Sequence, residues 1–249
     1  MSQVVRAKDP GLISYKTLRR ATGCIGIALP FALAIVNMLL VSKLIFQGSV
    51  SGYYYTGVRD VLVGSLCAIG VFLFSYSGYD DWDKWLTNVA GLFAIGVALF
   101  PTAPANPSAS AKAVGYVHLT CATLLFITLA VIALWLFRKT ESHGERTPEK
   151  RKRDLVYLLC GGVIVLCVAL VPIESLVIGA PIAKYHPLFW LEAVAIVAFG
   201  IAWLVKGDTL LKDKNQPAGA DDRALAAQPT EPARPDPGLA GRMVGPQPR

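Results

Sequence analysis

Six long apolar runs, at residues 21–46, 58–76, 84–100, 114–137, 155–171 and 187–205, leave this chain few folds to choose from. Crossing a hydrocarbon layer roughly 30 Å thick takes about 20 residues at helical rise, so each run is near the length of a membrane span. Within a bilayer every backbone amide needs a partner inside its own segment or a closed barrel, and runs this long and apolar satisfy that as helices. The sequence therefore predicts an all-α integral membrane bundle of six transmembrane helices. Composition agrees: 54% of the 249 residues are hydrophobic and 16% charged, where soluble domains are about one quarter charged.

The ends of the runs carry their own signals. Asp83 is expected to cap the third run, because a carboxylate there satisfies orphan amides. Pro187 suits the first turn of the sixth. Pro172 is expected to stop or kink the fifth, leaving apolar residues 175–180 to lie at the interface or re-enter. Gly64 with Ala68, Ala90 with Ala94 and Ala98, and the pair Gly161 and Gly162 read as contacts where helix backbones approach. Trp82, Trp85, Tyr116, Trp135 and Trp203 read as an interfacial aromatic belt.

Orientation follows from the basic residues. Arg6, Lys8, Lys16, Arg19 and Arg20 precede the first run, and seven Lys or Arg lie between Arg138 and Arg153. An excess of positive charge marks the cytoplasmic side, so both termini are expected there. The net charge of +7 sits at the ends of apolar runs, where it contacts anionic lipid head groups; no nucleic-acid-binding pattern accompanies it, and nucleic acid is not an expected partner. The five cysteines all lie inside apolar runs, with no CxxC, and read as small packing residues. Residues 1–20 form a basic cytoplasmic segment followed by a retained helix and not by a cleaved signal. Residues 21–206 form the transmembrane domain. Residues 207–249, a cytoplasmic tail that becomes rich in Pro, Ala and Gly, are expected to be mostly disordered.

Candidate chemistry gathers at the opposite, outer face. The link SVSGYYYTGVRD, residues 49–60, ends in Arg59 and Asp60 at the mouth of the second run. Near it on this topology fall His118, Glu174, Lys184, His186 and Glu192. Ionisable residues at membrane depth are costly and are usually paired or functional. Glu192 reads either as a metal ligand, proton carrier or general base, or as a carboxyl that is neutral or paired with Arg59. His118, His186, Glu192 and Asp60 are the candidate metal ligands, with zinc the candidate metal and a bound water as nucleophile; Asp60 and Glu192 are also the candidate catalytic residues. His186 and Glu192, six residues apart, meet at one metal only if His186 precedes the helix. Arg59, Ser51, Tyr55, Glu174 and Lys184 read as structural or lipid-contacting.

The segments SGYYYTGVRDVLVG, GLFAIGVALFPT and FWLEAVAIVAFGIAWLVKG, spaced as they are here, resemble a family of uncharacterised bacterial six-helix integral membrane proteins, a domain of unknown function, over residues 20–207. The resemblance implies a bacterial inner-membrane location. A further similarity is to the superfamily of membrane hydrolases that includes alkaline ceramidases. It implies a serine, an aspartate and three histidines around zinc, of which Ser51 and Asp60 match. Tyr55 stands where that pattern has its first histidine, and the last helix lacks an HxxxH pair. The expectation that results is a structural or lipid-interacting inner-membrane protein with a polar pocket at the outer leaflet. A metal-dependent hydrolase acting on a lipid and a small proton-coupled transporter are the alternatives.

Overall fold

A computed structural model describes residues 15–41, 46–76, 81–139, 147–173, 184–209 and 211. The chain divides into two units, residues 1–215 and 216–249, and all described residues belong to the first. Among them the structure is all-helical, without a strand: α1 (Tyr15–Val41), α2 (Arg59–Phe74), α3 (Asp81–Leu99), α4 (Ala109–Leu134), α5 (Pro148–Ile173) and α6 (Pro187–Lys206). Two short 3-10 turns accompany them, Ser51–Tyr55 and Leu136–Arg138. The tail beyond Leu211 and the segment 174–183, with Glu174, lie outside the described residues.

Four helices are long and apolar enough to cross a membrane: α1, α4 with the turn that extends it, α5 and α6. The other two fall short for different reasons. α2 has 16 residues, roughly 24 Å at 1.5 Å per residue. α3 carries Asp81, Asp83 and Lys84 in its opening turn.

Each helix packs on the next in sequence, and α6 returns to pack on α1, which closes a ring; α6 also touches α4. Side-chain contacts show that neighbours alternate in direction. At one end Arg19 of α1 lies 5.0 Å from the ring of Tyr76, just after α2. At the same end Arg20 Nε donates to the Gly207 carbonyl at 2.8 Å, just after α6, and Lys16 pairs with Asp208 at 2.6 Å. Lys139 Nζ, after α4, reaches Asp83 Oδ1 at 2.7 Å near the start of α3. Six helices in a closed ring leave an axis, and the chain fills it with two apolar clusters. The larger centres on Trp203, Phe137, Tyr157 and Phe199 towards the basic end; the smaller groups Leu29, Leu33, Tyr53, Leu62 and Phe189 towards the other.

Backbones touch where glycines face each other. A β-carbon at Gly200 would stand 2.7 Å from the Gly23 carbonyl oxygen, and one at Gly91 would stand 2.8 Å from that of Gly70. These pairs set the α1–α6 and α2–α3 crossings, because only glycine lets the backbones come so close. Of the expected contacts, Ala90, Ala94 and Ala98 are buried, and Gly161 packs on Leu134. Gly64 and Gly162 have nothing within 4 Å of where a β-carbon would be, so these two are not contacts.

Two further expectations are corrected, and one burial was not anticipated. Asp83 does not cap α3: the helix begins at Asp81, and the Asp83 side chain is buried against Lys139. Trp203 is no belt residue; it is 2% exposed and stacks edge-on to Phe137 and Tyr76. Arg19 is buried to the same degree, because a guanidinium can lie on an aromatic face while its fork reaches the Lys206 carbonyl, here at 3.5 Å.

Candidate functional site

The candidate site lies at the end opposite the Arg19 cluster, where the link between α1 and α2 crosses the start of α6. Pro187 occupies the first position of α6. The helical region is disfavoured for a residue before proline, and His186 takes the left-handed conformation instead, with φ 52° and ψ 53°. His186 therefore precedes the helix, as a shared metal site with Glu192 requires. Phe189 N–H, an orphan donor of the first helical turn, is satisfied by the Gly48 carbonyl of the link at 3.1 Å.

One turn further along α6, Glu192 Oε2 accepts a hydrogen bond from the backbone N–H of Ser51 at 3.1 Å. This bond and the Phe189–Gly48 bond pin the link to α6 at two levels. Tyr53, fully enclosed, packs its ring 6.2 Å from that of Phe189. Burial pushes the Tyr53 hydroxyl above its usual pKa.

Glu192 and Ser51 stand at the rim of a cavity of about 60 Å³ inside the ring. Leu29, Leu66, Val97, Leu125 and Phe199 represent the five helices that line the rest of it, and every one of these walls is apolar. A carboxylate is thus presented to an interior with no side chain of opposite charge among the lining residues.

The other predicted residues stand apart from this carboxylate. Arg59 is exposed and turned onto Tyr54, with its guanidinium 4.4 Å above the ring and 2.8 Å from the hydroxyl. The expected pairing of Arg59 with Glu192 is therefore replaced by Ser51, whose amide is closer along the link. Asp60 is exposed in the first turn of α2. His118 is buried, and its Nδ1 lies 2.7 Å from the Phe100 carbonyl oxygen at the end of α3. Tyr55 hydroxyl donates to the Thr102 carbonyl, and Lys184 lies 4.9 Å from the Tyr185 ring. Among the described residues no three His, Cys, Asp or Glu side chains are grouped as metal ligands.

A second concavity was not anticipated. A groove of about 530 Å³ runs along the outside of the ring between α1, α5 and α6. Ala34 and Met38 of α1, Val163 of α5, and Ala193 and Val197 of α6 line it, and Phe46 and Trp190 stand at its outer end. The alternation of small and large residues along α6 is one sequence signal for it. Pro30, inside α1 and on the groove wall, is another.

Comparison of this chain with protein families, with curated proteins and with solved structures finds no match.

Proposed function

We propose that the chain is a six-helix inner-membrane protein that binds lipid, with both termini in the cytoplasm. The observation that carries this reading is the outer groove. Its volume of about 530 Å³ lies within the roughly 300–1,000 Å³ of ligand-binding concavities. Three of the four helices with spanning length and hydropathy form it, so its walls stand at hydrocarbon depth. An apolar trough at that depth takes an acyl chain. In this reading α2 and α3 complete the count of six, with Trp82 and Trp85 marking the cytoplasmic interface; both rings are exposed.

The basic end suits the head group of an anionic lipid. Lys84, Arg151 and Lys152 are exposed there, whereas Lys16, Arg20 and Lys139 are engaged by the fold. Exposed Lys or Arg near an anionic surface contributes about 1 kcal/mol each.

The test is the lipid that stays with the full chain through purification in mild detergent, read by native mass spectrometry. Ala34→Trp and Val197→Trp would each fill the groove from a different helix. Co-purifying lipid should fall several-fold in both variants, with folding intact by thermal melting. Unchanged lipid in both would overturn the reading.

A further inference from the structure

The lipid reading uses the outside of the ring and leaves Glu192 unexplained. One carboxylate oxygen takes the Ser51 N–H, and the group borders an interior cavity of about 60 Å³, room for roughly two waters at about 30 Å³ each. No charged or titratable side chain of α1, α2, α3, α4 or α6 other than Glu192 lines that cavity. Other charged or titratable groups at this end lie outside the cavity lining: Arg59 is on Tyr54, His118 on the Phe100 carbonyl, Asp60 is exposed, and the His186 ring stands 6.4 Å from that of Phe46. Cys67 packs on the smaller apolar cluster.

The class of ligand follows from the walls. A hard cation such as Ca²⁺ takes about six to eight oxygen ligands, and among the lining residues only Glu192 and Ser51 have side-chain oxygens. A proton needs one. The geometry points to Glu192 as a proton-binding site whose ionised form latches the α1–α2 link through Ser51 N–H and whose protonated form loosens it. The balance is simple: the carboxylate takes up one proton to become a carboxylic acid, and no covalent bond breaks.

The direction follows from bond strength. A hydrogen bond to an ionised acceptor is roughly twice as strong as one to a neutral group, so the latch holds at high pH and weakens as pH falls through the titration of Glu192. Val50 and Ser51 both border the cavity, so loosening this turn opens the interior towards the outer face. The Phe189–Gly48 bond keeps the start of the link in place, so the movement falls on the turn and the residues that follow it.

The experiment uses the full chain in nanodiscs of zwitterionic lipid, with a nitroxide at Gly57→Cys in a cysteine-free background. Gly57 is exposed and two residues beyond the turn. Label mobility should rise as pH is lowered, and Glu192→Gln should give the mobile spectrum at every pH. In parallel, a hydrophobic carbodiimide is applied to the chain with Glu192 intact. The carboxyl O–H adds across one C=N bond to give an O-acylisourea, which rearranges to a stable N-acylurea without losing atoms. Peptide mass spectrometry should place one adduct on Glu192, increasing as pH falls. Mobility that ignores pH, an equal pH response in Glu192→Gln, or a Glu192 spared by the carbodiimide at every pH would each overturn the proposal. If Glu192→Gln does not fold, the adduct and the pH response of the parent chain decide it.

Discussion

Asp83 and Glu192 are both acidic side chains withdrawn into the bundle, and different partners hold them there. Asp83, 1% exposed, faces the ammonium of Lys139. Removing one member of a buried pair leaves a charge without compensation, at about 3–5 kcal/mol; Lys139 keeps 24% exposure, so Asp83→Ala should cost roughly 2–3 kcal/mol. Glu192 faces a backbone amide. Glu192→Gln keeps an acceptor but loses the charge, and should lower stability by on the order of 1 kcal/mol, less than Glu192→Ala. His118 is a third test. Its ring satisfies a carbonyl at the end of α3, and His118→Ala should cost about 1–3 kcal/mol by stranding that oxygen. Thermal melts of these four variants in one detergent check the three values and the order of the two Glu192 variants. A His118→Ala chain as stable as the parent would mean that the Phe100 carbonyl has found another partner.

The helices meet through glycine at some crossings and through alanine at others, and the difference is measurable. Gly200→Ala would put a methyl group 2.7 Å from the Gly23 carbonyl and 2.9 Å from Ile27 N. These are backbone atoms, so the helices themselves must part, at about 1–3 kcal/mol. Gly162→Ala meets nothing within 4 Å and should be neutral or stabilising by up to about 1 kcal/mol through helix propensity. The pair separates packing from propensity within one fold. Equal effects in the two variants would show that the α1–α6 crossing is looser than the glycines imply.

For the whole molecule, closure of the ring is the main structural fact. α1 and α6 are the first and last helices, and Lys16, Arg19 and Arg20 of one bind the final carbonyls and Asp208 beyond the other. Cations at a helix C-terminus complement its dipole, so these basic residues help to close the ring. The six-span reading has a direct test. Cysteines at Ser108 and Ser142 in a cysteine-free background should be labelled from opposite sides of the membrane. Labelling from one side would mean that α2 and α3 do not both cross.

Apolar run length by itself pointed to helices, four of which are long and apolar enough to cross a membrane among the described residues, because backbone amides in hydrocarbon have no other outlet in segments this long. Pro187 permitted His186 to lie ahead of α6, since proline restricts its predecessor, and the folded chain puts it there. Which charges pair with which was decided only by the tertiary structure. Arg59 and Glu192 have complementary signs and sit near the same end, yet Tyr54 takes one and Ser51 N–H takes the other. A backbone amide carries no letter in the sequence, so its competition for a carboxylate is invisible until the link is folded across α6. Trp203 makes the same point, being drawn inside by Phe137 and Tyr76 from distant parts of the chain. The groove is further still from the letters, because it is the space left between three helices whose spacing two glycines help to set.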